Sequence, residues 1–584
     1  MGRGEFPSGR LPRENACRFA SPKKLCGAPK SSPYGPLRLN CAPKIAKERH
    51  YRRRHKNFST GYFLARAIPV QMGVIMTIRN IIPVTAVALA TILAACESPQ
   101  HSSGDYSMTT ASEAMASSPP PPACCGYAGA SQDEGREAYP EYENNPTRQV
   151  ALEPVSTFSI DVDTASYSRV RRFLNDGRLP PADSVRTEEL VNYFRYDYPT
   201  PENRETPFRS DIALFDAPWD EGAQILRIGL KGFDIPAEQR PPVNLVFLVD
   251  TSGSMRSADK LPLLQKSLRM LVEEMEPEDR VAMVAYAGSA GVILEPTEAK
   301  NKSRILSAID NMRAGGSTAG GAGIELAYRL AQENMREGAV SRVILATDGD
   351  FNVGVSNPDQ LEKLIVGKRK IGIYLSVLGY GKGNLQDNIM QALAQAGNGN
   401  ASYIDNYREA RKVLVDEMGG TLFPIADDVK VQVEFNPAYV AEYRLIGYET
   451  RMLKREDFNN DKIDAGEVGS GHSVTALYEI ISPDSASRRV DPLRYGTEAP
   501  KQEAGVANGE LAWLKIRYKL PGESESTKIH QPVHVSTQTG FAEAPADARF
   551  ATAVAGFAQL LRNSGAVGDL SYDDVVEIAN GAKG

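Results

Sequence analysis

The sequence predicts an α/β protein built around a doubly wound, mostly parallel sheet. A small α/β N-terminal segment precedes this sheet, and a C-terminal antiparallel β-sandwich with a terminal helix follows it. Three observations predict this fold class. Strand-like apolar runs alternate with helix-like segments between about 243 and 427, two of those runs end abruptly in an aspartate, and alternating strand patterns follow from about 428.

Length and composition restrict the class of protein. The chain has 584 residues, too many for one ordinary core, and its 42% hydrophobic and 24% charged residues are typical of globular proteins. The net charge of -6 argues against a nucleic-acid partner. All six cysteines lie in the first quarter of the chain, so we expect the folded body to use neither disulfides nor thiolate metal sites.

Shifts in composition divide the chain into seven regions. They are upstream sequence without a fold (1–75), a lipoprotein signal peptide (76–95), a disordered tether rich in Ser, Ala and Pro (96–150), an N-terminal segment (151–242), the central α/β domain (243–427), a C-terminal β-rich domain (428–545) and a C-terminal helical segment (546–584).

A short apolar stretch near residue 90 has the features of a signal peptide. Arg79 precedes the apolar run 81–93, which is too short to predict a lasting membrane span. The following Leu-Ala-Ala-Cys at 93–96 resembles the bacterial lipobox, which implies that Cys96 is lipidated and becomes the mature N-terminus. The resemblance, with Glu97 next, implies a lipid-anchored protein of the cell envelope, on the outer membrane and facing the periplasm.

The residues before Met76 are basic, dotted with prolines and without periodicity. Three explanations are open: a transit-like peptide, a nucleic-acid-binding arm, or upstream sequence translated in error. We favour the last, with Met76 or Met72 as the true start, because a signal peptide should begin the protein.

Five strands and six helices are expected in the central domain. The strands are Asn244–Asp250, Arg280–Ala287, Ser341–Thr347, Gly372–Leu378 and Ser402–Asp405. The helices are Leu263–Met275, Lys302–Met312, Ala322–Arg336, Pro358–Lys368, Leu385–Ala396 and Arg408–Met418.

Three stretches of this domain place oxygen ligands at strand ends. They are N-L-V-F-L-V-D-T-S-G-S-M at 244–255, the Gly-rich A-G-G-S-T-A-G-G-A-G at 314–323, and V-I-L-A-T-D-G-D at 343–350. In a parallel sheet, ligands bind in the crevice beyond the carboxyl ends of the strands. We therefore expect two carboxylates and three hydroxyls at one edge of the sheet.

Together these stretches resemble the von Willebrand factor A (VWA) domain, a Rossmann-like fold, with its metal-ion-dependent adhesion site (MIDAS). The resemblance assigns Asp250, Ser252 and Ser254 to the first ligand segment, Thr318 to the second and Asp348 to the third. It implies that hydroxyls contact the metal directly, that aspartates often act through water, and that a partner's Glu or Asp completes the site. An all-oxygen site suits a hard cation, Mg2+ or Mn2+, and not zinc.

Other roles for these residues remain open. Each aspartate alone could be a helix cap or a solvated strand end, and Thr318 alone could be a helix cap. A serine hydrolase needs a base, and no histidine lies between His101 and His472. Metal-assisted hydrolysis is formally open, but Glu325 and Asp350 fit helix surface and turn better than a second acidic site. We therefore predict a binding protein and not an enzyme.

The flanking segments narrow the family. S-T-F-S-I-D-V-D-T-A-S-Y-S at 156–168, L-G-Y-G-K-G-N-L-Q-D-N at 378–388 and V-E-F-N-P-A-Y-V at 433–440 resemble the bacterial YfbK-like lipoproteins. That family places an A domain between its own N- and C-terminal segments. The stretch D-F-N-N-D-K-I-D-A-G-E at 457–467 has the composition of a calcium loop, but Lys462 stands where an EF-hand needs Gly, so a polar loop is favoured.

The prediction is a lipid-anchored envelope protein that binds a protein partner through a Mg2+-dependent site. Two alternatives are an accessory subunit for an AAA-type ATPase and a metal-dependent hydrolase. The lipobox argues against the first because it places the body away from cytoplasmic ATP.

Overall fold

The computed structural model describes residues 137–316, 320–349, 358–491 and 509–582. The predicted upstream sequence, the signal peptide and most of the predicted tether lie outside these residues. Before the central domain the described residues, from 137 onward, form four strands and two helices. They are β1 (Arg148–Gln149), β2 (Val155–Ser159), α1 (Ala165–Asn175), α2 (Thr187–Asn192), β3 (Phe208–Ala217) and β4 (Asp220–Gly232).

The central domain follows with six strands and seven helices among the described residues. The strands are β5 (Val243–Asp250), β6 (Arg280–Tyr286), β7 (Ala290–Glu298), β8 (Val340–Thr347), β9 (Ile373–Tyr380) and β10 (Ala401–Ile404). The helices are α3 (Leu261–Glu274), α4 (Lys302–Asn311), α5 (Gly320–Glu333), α6 (Pro358–Arg369), α7 (Asp387–Ala396), α8 (Tyr407–Arg411) and α9 (Met418–Leu422).

The central sheet has the strand order β10-β9-β8-β5-β6-β7, and every neighbouring pair is parallel except β6 with β7. All eight residues of β5 are buried. Leu245 and Phe247 enter one hydrophobic core, and Val246 and Leu248 enter the other. An apolar run without alternation is therefore required, because helices cover both faces of the sheet. The predicted doubly wound α/β fold is confirmed.

The central elements differ from the prediction in two places. The antiparallel edge strand β7 was not predicted, because one of its faces is exposed and Pro296 interrupts its pattern. The helix expected over Arg408–Met418 is broken into α8, a π-helical turn at Lys412–Asp416 and α9.

After the central domain the chain forms seven strands and two helices among the described residues. They are β11 (Pro424–Phe435), β12 (Glu442–Ile446), β13 (Gly466–Gly469), β14 (Ser473–Ile481), β15 (Glu510–Lys519), β16 (Ser526–His534), β17 (Gln538–Thr539), α10 (Ala546–Leu561) and α11 (Tyr572–Gly581). No helix among the residues described is both long and apolar enough to cross a membrane.

The two flanking regions form one body, which corrects the predicted division into 151–242 and 428–545. One sheet has the order β1-β12-β14-β4-β3-β17, and the other joins β13, β11, β15 and β16, with β2 paired to β11. Both sheets therefore contain strands from before and after the central domain. The sheets share a core, in which Phe435 of β11 stacks on Tyr443 of β12 with ring centroids 4.5 Å apart.

The central domain is inserted into this body at two adjacent points. The chain leaves β4 at Gly232, enters β5 at Val243, and returns to the body at the start of β11. A Cβ atom built on Gly232 would come within 2.7 Å of the Ile425 side chain, so the exit and the return lie in contact.

The predicted tether also ends earlier than expected. Residues 137–150 lie against the folded body: Ala138 donates a backbone hydrogen bond to Leu385 (3.0 Å), and the Tyr142 hydroxyl donates to the Val185 carbonyl (2.6 Å). This segment then continues into β1, which pairs with β12.

Candidate metal site

The first ligand segment lies at the carboxyl end of β5. Asp250 is fully buried, and its Oδ1 accepts a hydrogen bond from the Ser252 backbone N–H (2.8 Å). This turn brings the Ser252 and Ser254 hydroxyls to 2.9 Å from each other. Ser252 is buried and Ser254 is exposed, so the hydroxyl pair runs from the interior to the solvent.

The Gly-rich loop reaches the same edge. The Gly315 N–H donates to the Thr251 carbonyl (2.8 Å), and the Gly253 N–H donates to the Gly316 carbonyl (3.0 Å). The loop is thereby fixed against the first segment just before residue 318. Thr318 itself lies outside the described residues, so its assignment as a ligand stays a prediction.

The third segment lies at the end of β8, the strand beside β5. Asp348 is buried, and the preceding Thr347 hydroxyl donates to Asp250 Oδ2 (3.3 Å). Asp348 also shares a hydrogen bond with Ser254. The structure therefore brings Asp250, Ser252, Ser254 and Asp348 together at one edge of the sheet.

A lysine that the sequence analysis did not single out also reaches this edge. Lys260 precedes α3, and its Nζ lies 2.9 Å from Asp348 Oδ2 and 3.3 Å from Asn384 Oδ1. Asp348 and Asn384 lie 88 and 124 positions from Lys260 in the sequence. Its one local signal is a basic residue three positions before the predicted helix Leu263–Met275, which is a common pattern on protein surfaces.

The two carboxylates have different electrostatic environments. Burial raises the pKa of Asp250 to about 6 despite the hydrogen bonds from Ser252, and the charge of Asp348 adds to the rise. Burial also acts to raise the pKa of Asp348, but the hydrogen bond and charge of Lys260 outweigh it and hold that pKa below its usual value. Asp250 is therefore the carboxylate whose negative charge is less compensated.

These residues fit a hard divalent cation. The set consists of two carboxylates and two hydroxyls, without sulfur or imidazole, and oxygen ligands of this kind suit Mg2+ or Mn2+. A cation beside Asp250 would also stabilise its charged carboxylate, which burial disfavours, as the raised pKa shows. When bound, such an ion supplies a positive centre that attracts an anionic ligand.

A second group of acidic residues has a different character. Asp161, Asp163 and Glu189 are buried, and one carboxylate oxygen of each lies within 4.8 Å of the others. Arg451 pairs with both aspartates, at 3.0 Å and 3.3 Å, and Arg186 pairs with Glu189. Arginines pair with all three carboxylates, although burial and the charge of Asp161 still raise the pKa of Asp163, so we interpret the group as a structural ion network.

The remaining candidates from the sequence occupy structural positions. Asp461, in the stretch with calcium-loop composition, pairs with Arg517 at 2.8 Å, which supports the polar-loop interpretation. Burial lowers the pKa of His472 to about 4, and this residue lies outside the central domain. Glu325 is exposed on α5, and Asp350 is outside the described residues.

Comparisons with known families give matches for the central domain and for the regions before and after it. Residues 244–415 match the von Willebrand factor type A domain, residues 133–227 match a family described as von Willebrand factor, and residues 420–584 match the C-terminal region of uncharacterized protein YfbK. These matches agree with the resemblance seen in the sequence.

Individual proteins with similar sequences are consistent with these family matches. The chain is 44% identical over 458 residues to uncharacterized protein YfbK of Escherichia coli (strain K12), covering 77% of this chain and 78% of that protein. It is 30% identical over 208 residues to uncharacterized protein sll0103 of Synechocystis sp., covering 35% and 48% of the two chains. Human inter-alpha-trypsin inhibitor heavy chain H4 is 31% identical over 129 residues, which cover 21% of this chain and 14% of that one.

Among solved structures, a von Willebrand factor type A protein from Catenulispora acidiphila aligns with a TM-score of 0.36 and 16% identity, covering 64% of this chain and 89% of that one.

Proposed function

Because the chain belongs to the YfbK family and contains a von Willebrand factor type A domain, we propose that it is a lipid-anchored cell-envelope protein that binds a protein partner through a Mg2+ ion. Asp250, Ser252, Ser254, Thr318 and Asp348 hold the ion. Mn2+ would satisfy the same oxygen ligands. The partner contributes a Glu or Asp carboxylate.

One observation carries this proposal. Asp250, Ser252, Ser254 and Asp348 converge at the carboxyl edge of a parallel sheet, with Ser254 exposed at the rim. The buried members hold a cation in place, and the exposed rim gives a ligand from outside access to it.

Binding accounts for this edge better than catalysis does. Activation of Ser252 or Ser254 as a nucleophile needs a base, and the sequence has no histidine between His101 and His472. Lys260 is not placed to act as that base, because in the described contacts its ammonium binds Asp348 and Asn384 and not a serine hydroxyl. No contact among the described residues favours the alternative of an accessory subunit for an AAA-type ATPase.

A capture experiment tests the partner-binding proposal. Envelope extract is passed over the immobilised protein in Mg2+ and again in EDTA, with Asp250→Asn and Asp310→Asn as parallel baits. Asp310 is exposed on α4 and forms a surface ion pair with Arg269, so its variant controls for the loss of one aspartate charge. We expect a partner held by the parent and Asp310→Asn only in Mg2+, and not by Asp250→Asn. Equal capture under all conditions would contradict the proposal.

The lipid anchor has its own test. Cells are labelled with radioactive palmitate, and the parent is compared with Cys96→Ser and Cys124→Ser. We expect label on the parent and on Cys124→Ser, with none on Cys96→Ser, and recovery of the labelled protein in the outer-membrane fraction. Label on Cys96→Ser would remove the basis for this anchor.

A further inference from the structure

Lys260 is part of the metal edge, which is the carboxyl edge of the central sheet that carries the four described ligand candidates Asp250, Ser252, Ser254 and Asp348. Its side chain is about one-tenth exposed, and its ammonium contacts Asp348 and Asn384. Its stem lies directly against Gly381, where an added Cβ would come within 2.3 Å of both Lys260 Cγ and Cε. The lysine is therefore enclosed in one position, unlike a surface lysine that moves freely in solvent.

The ammonium changes the charge of the edge. Two carboxylates, Asp250 and Asp348, carry two negative charges, and Lys260 cancels one of them. A divalent cation added to the remaining single negative charge leaves these groups with one net positive charge. Without the lysine, the same cation would leave them neutral.

We propose that Lys260 is a built-in counter-cation that keeps the metal-loaded edge net positive and thereby makes it selective for an anionic group of the partner. This inference rests on the proposed function and deepens it. The lysine weakens binding of the divalent ion itself, because it adds a like charge near the ion. In return, the loaded edge attracts a carboxylate that a neutral edge would hold weakly.

A purely structural role is the competing interpretation. Lys260 would then only fasten the start of α3 to the end of β8, and its removal would loosen Asp348. Groups that orient metal ligands typically strengthen metal binding, by about 10- to 100-fold. The two interpretations therefore predict opposite changes in Mg2+ affinity.

Two variants make the edge more negative by one charge in independent ways. Lys260→Gln removes the ammonium and keeps a hydrogen-bond donor. Asn384→Asp places a carboxylate where the Asn384 side-chain oxygen lies 3.3 Å from the intact ammonium. This second variant keeps the test possible even where Lys260→Gln fails to fold. Lys266→Gln removes one charge from an exposed position of α3, the helix that Lys260 precedes, and is the matched control.

Calorimetric titration of the complete protein with Mg2+ decides between the interpretations. We expect Lys260→Gln and Asn384→Asp to bind Mg2+ at least fivefold more tightly than the parent, and Lys266→Gln to bind like the parent. Titrations repeated in acetate, against chloride at the same ionic strength, report the anion effect. We expect acetate to tighten Mg2+ binding to the parent and to have less than half that effect on the two variants.

The outcomes separate this inference from the function on which it rests. A parent that binds Mg2+ with variants that bind equally or more weakly would overturn the role of Lys260 alone. An undiminished acetate effect in both variants would also overturn it. A parent that binds no Mg2+ would overturn the inference and the proposed function together.

Discussion

Arg186 donates a hydrogen bond to Asp387 across 2.5 Å, and both side chains are buried. Arg169 pairs with the other carboxylate oxygen. Burial alone would raise the pKa of Asp387, but the charges of Arg169 and Arg186 outweigh it and lower that pKa to about 2. Since Asp387 begins α7 and both arginines precede the A domain, this triad fastens the domain to the N-terminal region.

Asp387→Asn should destabilise the protein strongly. Removing this carboxylate leaves two buried guanidinium groups without their shared anion, which costs about 3–5 kcal/mol in comparable pairs. Urea unfolding followed by the fluorescence of Trp219 and Trp513 measures the change. Asp310→Asn, which breaks an exposed pair, should shift the midpoint little. Similar midpoints for both variants would show that the triad contributes no more than a surface pair.

The buried Glu188 carboxyl group should make the stability of the protein depend on pH. Burial, reinforced by nearby carboxylates, raises its pKa from about 4.5 to about 8 in the folded protein. The folded state therefore holds a proton that the unfolded chain releases, so this contribution to stability is full below about pH 4.5 and is lost as the pH rises through about 8.

Glu188→Gln should remove this dependence while keeping an acceptor for the Tyr448 N–H. We expect the variant to gain melting temperature relative to the parent at pH 8.5 and to gain little at pH 5. A gain that is equal at both pH values would contradict the raised pKa.

Asp250→Asn should separate stability from metal binding. The amide removes a buried charge whose pKa is raised, so the metal-free variant should melt at or above the temperature of the parent. Added Mg2+ should raise the melting temperature of the parent, because a ligand that binds only the folded state stabilises it, and should leave the variant unchanged. Differential scanning calorimetry in EDTA and in Mg2+ gives both results. A variant that gains as much as the parent in Mg2+ would exclude Asp250 from the site.

Gly349 should tolerate no side chain. Its φ of +97° is in the left-handed region, and an added Cβ would lie 2.5 Å from Leu385 Cα. Gly338 has a φ of +74° with no atom within 4 Å of such a Cβ. Gly338→Ala therefore reports the conformational cost alone, about 1–2 kcal/mol. We expect Gly349→Ala to cost clearly more in urea unfolding, and equal costs would contradict the close approach.

The central strands could be predicted because helices cover both faces of their sheet. Such strands appear as continuous apolar runs, and the observed bounds of β5, β6, β8, β9 and β10 lie within two residues of the predicted ones. The candidate ligands followed from the same logic, since the ends of neighbouring parallel strands meet. The exposed edge strand β7 gives no comparable signal.

The pairing of strands that are distant in the sequence could not be predicted from the sequence patterns. Residues 155–159 pair with residues 430–434 of β11, and nothing in the alternation of either stretch specifies the other. Lys260 was missed for the same reason, because its partners are remote in the sequence. The segment 137–147 has the composition of a linker, and only tertiary contacts such as that of Tyr142 with Val185 fix it to the body.

The two-point insertion of the A domain has a mechanical consequence. A single linker would let the domain swivel and would carry the whole of any pull applied to it. Here a pull at the metal edge divides between β4 and β11, which belong to different sheets of one core. The load acts along strands held by hydrogen bonds on both sides, β3 and β14 for β4, and β15 and β2 or β13 for β11. Tension is thereby shared between two anchored strands instead of peeling one end of the chain.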